Sequence, residues 1–160
     1  MEMNMDKITI VNVPVQKVLG ITKTGSYQMI PDLLIQVMGY MISEKITMAG
    51  PPVFICHETS PESVKDAAEK GTAVVEVAWP VAGIVQGSQE IRAYELQGGK
   101  MVHTIHRGPY AECEPTYLRL FTWIAENGLA INGPIREVYP NDPREVLPEE
   151  IITEIYVPVA

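Results

Sequence analysis

Two glutamates stand in matching strand patterns, and their neighbours suit the capture of a flat cation. In Ile152-Thr153-Glu154-Ile155-Tyr156-Val157-Pro158-Val159, β-branched residues alternate with others, which marks a strand. Period 2 puts Thr153, Ile155, Val157 and Val159 on one face and Glu154 with Tyr156 on the other. A carboxylate shielded from water attracts a delocalised cation far more strongly than a solvated one. An aromatic face adds about 0.5–2 kcal/mol by cation–π contact, and buried apolar area adds about 25 cal/mol per Å². The pattern occurs twice: Val75-Glu76-Val77-Ala78-Trp79-Pro80-Val81 repeats the Glu, the Pro and the final Val 78 positions earlier. Trp79 there shares a face with Val75 and Val77 and belongs to the core.

These considerations select Glu154 as charge partner, with Tyr156, Tyr110, Trp123 and Tyr117 as walls. Glu76, Tyr27 and Tyr40 are the counterparts from the first half, and Tyr139 can face either the cleft or a loop. A catalytic alternative uses the same residues: Glu154 with Tyr110 or Tyr156 could activate water against a strained electrophile. No serine or cysteine triad offers itself, since Cys113 near a helix start lacks a His-Asp set and Cys56 lies within a strand. Metal and cofactor sites are not expected. His57 is a lone histidine at a strand end, and His103 and His106, three apart on a strand, point to opposite faces. None of the three is placed as a haem axial ligand.

The elements that must position these residues come from a duplication. At an offset of 83, Gly25-Ser26-Tyr27 falls on Gly108-Pro109-Tyr110 and Gly50-Pro51 on Gly133-Pro134, without a gap. Between these markers each half carries a helical apolar pattern: Leu34, Val37/Met38, Met41 in the first, and Tyr117, Leu120/Phe121, Ile124 in the second. The first helix opens at Pro31-Asp32; the second opens near Glu114-Pro115 and stops at Asn127-Gly128. Strand patterns cover 7–13, 15–24, 53–57, 72–81, 89–96, 101–107, 135–139 and 152–159. Residues 62–70 suggest one short helical turn. Gly98-Gly99 between two strand patterns predicts a hairpin. The expected fold is α+β: a pseudo-twofold duplication of a β-α-β-β module, repeats 7–81 and 89–159, forming one domain with antiparallel sheets, two main helices and a central ligand cleft.

Composition narrows the function classes. At 160 residues with 46% hydrophobic and 20% charged, the chain has the make-up of one soluble domain. A net charge of −8 argues against direct nucleic-acid binding, which needs a basic face, and mildly favours cationic ligands. No apolar run reaches the roughly 20 residues of a membrane span. The first six residues do not read as a signal peptide, and two cysteines in unrelated contexts point to a reducing cytoplasm.

Several segments together resemble the GyrI-like small-molecule-binding family. They are Gly50-Pro51-Pro52-Val53-Phe54-Ile55-Cys56-His57-Glu58, Gly108-Pro109-Tyr110, Trp123-Ile124-Ala125-Glu126-Asn127-Gly128, Gly133-Pro134-Ile135-Arg136-Glu137-Val138-Tyr139 and Thr153-Glu154-Ile155-Tyr156-Val157-Pro158-Val159. The resemblance runs from about residue 7 to the last residue. It implies two modules around a pseudo-twofold axis. It also implies a cleft for hydrophobic, often cationic, aromatic molecules, with an acid on the second half's final strand, which Glu154 matches. The family includes effector-binding domains of MerR- and AraC-type multidrug regulators and gyrase-inhibitory proteins, and a subset hydrolyses cyclopropane-bearing DNA-alkylating compounds. The expected partner is therefore a small hydrophobic cation, with a homodimer or a protein partner left open. One departure stands out: many members have Tyr where this chain has Cys56, which removes a possible aromatic wall.

Overall fold

The computed structural model describes residues 7–160. Two long paths organise it. β1 (Thr9–Val13) and β2 (Gln16–Gly25) form one path broken at Pro14; β5 (Arg92–Leu96) and β6 (Gly99–Arg107) form another, broken at Gln97-Gly98. β1 pairs antiparallel with β6, and β2 with β5. One register passes through both breaks: Val13 faces Gly99 and Gln16 faces Leu96. The Gly98 hairpin expected from sequence does not form, because β5 and β6 each pair with the other half's path. At this crossing the backbones meet so closely that a Cβ on Gly98 would lie 2.3 Å from the Val13 carbonyl oxygen. A glycine is needed there for close backbone approach rather than for a turn.

The remaining strands are β3 (Val53–Cys56), β4 (Ala73–Pro80), β7 (Ile135–Val138) and β8 (Ile152–Pro158). They complete one eight-stranded antiparallel sheet of order β1-β6-β8-β7-β3-β4-β2-β5. Each end strand pairs with the opposite half and runs on into an inner strand of its own half, so the sheet curls. β3 and β7 meet at the pseudo-twofold axis, with Phe54 opposite Glu137 and Cys56 opposite Ile135. The duplication persists in single hydrogen bonds. Val74 N–H donates to Glu58 Oε2 (3.2 Å), and in the second half Ile152 N–H donates to Asn141 Oδ1 (3.0 Å).

Three helices pack on the sheet: α1 (Ile30–Ser43), α2 (Pro61–Lys70) and α3 (Glu114–Glu126). α1 and α3 start where expected, each with a proline and an acid in its first turn. α2 is a full helix rather than the single turn expected. The Ser60–Ser63 capping box satisfies its first N–H groups, and Gly71 at φ 65° closes its other end. The helix-side core joins Leu19, Phe54, Val77 and Val157 to Leu33, Val37, Leu120 and Ile124. Trp79 is buried there as expected, its indole N–H donating to the Leu34 carbonyl at 3.0 Å. A second, smaller core of Val18, Val53, Ile55, Ala78 and Leu96 fills the opposite face.

Candidate functional site

β7 is only four residues long, and its alternation decides the site. Ile135 and Glu137 share the helix side with Phe54 and Cys56 of β3; Arg136 and Val138 share the other side with Val53 and Ile55. An acid is thereby placed among apolar neighbours. Tyr117, on the inner flank of α3, donates its hydroxyl to Glu137 Oε2 through a short contact. Tyr139 donates to Oε1 at 2.8 Å. The Tyr139 ring meets Tyr110 at 5.4 Å between centroids, steeply inclined. Across the axis Tyr27 packs edge-on against Phe54 at 6.1 Å, and its hydroxyl donates to Glu58 Oε1 at 2.6 Å. The result is a carboxylate set among apolar neighbours on the helix side, with rings from both modules close to it. Glu137, Tyr117 and Tyr139 each keep some accessible surface, whereas Ile135 and Leu120 beside them do not.

Removal from water controls the electrostatics. Burial raises the Glu137 carboxyl above the usual carboxylate range, against the pull of the Tyr117 and Tyr139 hydroxyls and nearby His106. Burial, then Glu137, holds the Tyr117 and Tyr139 phenols far above their ordinary values, so both act as donors. Burial also pushes the thiols of Cys56 and Cys113 up to about 12, with Glu137 adding to each. His106 bonds Thr116 through Nδ1 (2.9 Å) and the Pro109 carbonyl through Nε2 (3.0 Å), which fixes the turn that presents Tyr110. Two phenols now occupy both oxygens of Glu137.

The residues selected from sequence divide among three places. Tyr27, Tyr110 and Tyr117 belong to the helix-side group of rings near Glu137. Glu154, Tyr156 and Glu76 lie on the opposite face of the sheet. Glu154 there bonds His103 (3.0 Å) and Tyr156 (3.1 Å); Glu76 bonds His57 and Tyr94, both at 2.6 Å. Tyr40 and Trp123, equivalent under the duplication, sit on the outer flanks of their helices. Tyr40 bonds the Gln86 carbonyl, and Trp123 lines a hollow of about 480 Å³ with Lys7, Ile8 and Leu118. A second hollow of about 390 Å³ lies between α3 and the start of α2, and neither is lined by Glu137. Sequence reasoning passed over Glu137 as a site residue. At period 2 it shares a face with Ile135 and Tyr139, but the period alone does not say that this face meets the helices. Among the described residues no group of three or more His, Cys, Asp or Glu side chains could hold a metal ion. No helix among them is long and apolar enough to cross a membrane.

A sequence model of the GyrI-like small molecule binding domain matches residues 6–160. The chain belongs to that family. Small-molecule binding is the family's shared property, and this GyrI-like chain carries its fold almost end to end. The C-terminal domain of EcmrR superposes with a TM-score of 0.82 at 19% identity, covering 97% of this chain and 98% of that one. Against the EcmrR chain in its DNA complex the TM-score is 0.83 at 18% identity; the match covers 96% of this chain and only 57% of that longer one. A hydrolase from Listeria innocua gives 0.69 at 15% identity, over 96% of this chain and 92% of that one. SAV2435 bound to tetraphenylphosphonium gives 0.62 at 14% identity, over 96% and 97%. Likeness at such identities speaks for the fold alone. No curated protein matches the sequence at a significant level.

Proposed function

We propose that this GyrI-like domain binds hydrophobic organic cations in the helix-side cleft. Glu137 supplies the charge, and Tyr117, Tyr139, Tyr110 and Tyr27 supply the walls. The observation that carries the reading is a desolvated carboxylate that accepts from two phenols, with part of its surface still accessible. Such a group favours a soft cation that brings little hydration of its own over a hydrated metal ion, and aromatic walls accept many ring shapes. The tetraphenylphosphonium bound by SAV2435 is a ligand of this kind. This reading moves the charge partner from Glu154 to Glu137, because Glu154 lies across the sheet and is already engaged by His103 and Tyr156. Titration calorimetry with tetraphenylphosphonium tests it. Binding should be micromolar and drop at least about tenfold in Glu137→Gln. Equal affinity in the variant, or a matching loss in Glu154→Gln, would sink it.

A second reading is favoured by the raised carboxyl beside two phenol donors, an arrangement that can move a proton to or from a bound reactant. In it Glu137 takes the water-activating role first assigned to Glu154, and the substrate is a cyclopropane-bearing alkylating compound. Turnover of such a compound, lost in Glu137→Gln, would support it; absence of any turnover in the wild type rejects it.

A further inference from the structure

The two modules differ at the cleft in a way that bears on the number of charges a ligand carries. At the offset of 83, Glu137 corresponds to Phe54 and Tyr139 to Cys56, so the first half has no acid on its central strand. Its acid comes two residues after Cys56, at Glu58, where the second half has Asn141. Glu58 and Asn141 perform the same backbone task, accepting the N–H of Val74 and of Ile152 respectively. A neutral amide oxygen suffices for that task in the second half, so the negative charge of Glu58 exceeds what the backbone bond requires.

Glu58 is also aimed at the cleft. Its Oε1 accepts the Tyr27 hydroxyl at 2.6 Å and lies 4.0 Å from Cys56 Sγ. A carboxylate has about four lone-pair positions, which leaves capacity for a cationic group. Cys56 stands between the two acids, two residues along β3 from Phe54, the partner of Glu137; at strand spacing that is about 7 Å. Where Tyr139 brings a ring to the second half, Cys56 brings only a thiol.

We propose that the cleft prefers rigid aromatic dications, one charge at Glu137 and the other at Glu58, over monocations of the same shape. This rests on the cation reading above. The ligand class is a flat two-ring compound with a positive charge at each end.

The test compares 1,1′-dimethyl-4,4′-bipyridinium with 1-methyl-4-phenylpyridinium, which has nearly the same two-ring footprint and one charge fewer. Calorimetry at about 0.15 M salt, where the screening length is about 8 Å, limits the general attraction of an acidic chain. In the wild type the dication should bind about tenfold tighter than the monocation. Glu58→Gln should lower dication affinity at least about fivefold more than monocation affinity. Glutamine keeps an oxygen for the Val74 N–H, as Asn141 does for Ile152, and a thermal melt checks that the variant is folded. If the monocation binds through Glu137 but the wild-type ratio is near one, or Glu58→Gln leaves the ratio unmoved, the dication inference alone falls. If neither probe binds, or Glu137→Gln does not change monocation binding, the cation reading beneath it falls as well.

Discussion

At the level of single residues, Glu137 sets the chemistry and carries a measurable cost. Its carboxyl is raised in the folded chain, so between its unfolded value of about 4.3 and its folded value the folded state holds more proton than the unfolded one. Stability therefore falls as pH rises through that window. Glu137→Gln should raise Tm at neutral pH and leave it unchanged below about pH 4, which melting curves at several pH values would check. Binding has the opposite dependence. A cation needs the ionised form, so affinity should fall as pH drops through the raised value, and complex formation should release protons; calorimetry in buffers of different ionisation enthalpy measures both. The thiols give a third expectation. With Cys56 and Cys113 pushed up to about 12, Ellman's reagent should label neither quickly until the chain is unfolded. Tyr27, Tyr110 and Tyr117, which the duplication and the helical spacing mark in the sequence, stand on the helix side near Glu137. Choosing between Glu154 and Glu137 could not be done on strand period alone. Both alternate correctly, and only the position of β7 against β3 shows which acid faces the helices.

At the level of elements, the strand and helix patterns were legible wherever apolar period was strong, as in α1, α3, β4 and β8. Two features were not. α2 has a polar composition, and its helicity comes from its ends: Ser60→Ala should cost about 1 kcal/mol by removing the cap, read by denaturant unfolding. The Gly98-Gly99 hairpin was misread because a turn and a backbone crossing both call for glycine, and local sequence does not distinguish them. The crossing predicts its own mutational signature. In Gly98→Ala the new Cβ meets main-chain atoms of Val13, Pro14 and Val15, which cannot rotate away as a side chain can. A loss of about 1–3 kcal/mol is expected, whereas Gly39→Ala in α1, with nothing within 4 Å of the added carbon, should gain stability. Paired unfolding curves of the two variants test this.

At the level of the whole molecule, duplication has not produced two independent units. β1 completes the sheet of the second half and β5 that of the first, so each module lacks a strand without the other. Fragments 1–88 and 89–160 should each be largely unstructured by circular dichroism and regain strand signal on mixing. A well-folded fragment in isolation would contradict the exchange of strands. The same exchange has a consequence for the nascent chain. Thr9–Val13 is synthesised well before its pairing partner, Gly99–His103. Until that partner emerges the strand Thr-Ile-Val-Asn-Val travels without a neighbour, and aggregation and chaperone capture compete with folding. Productive folding of this protein must therefore wait for the second module to emerge, however quickly the first could collapse.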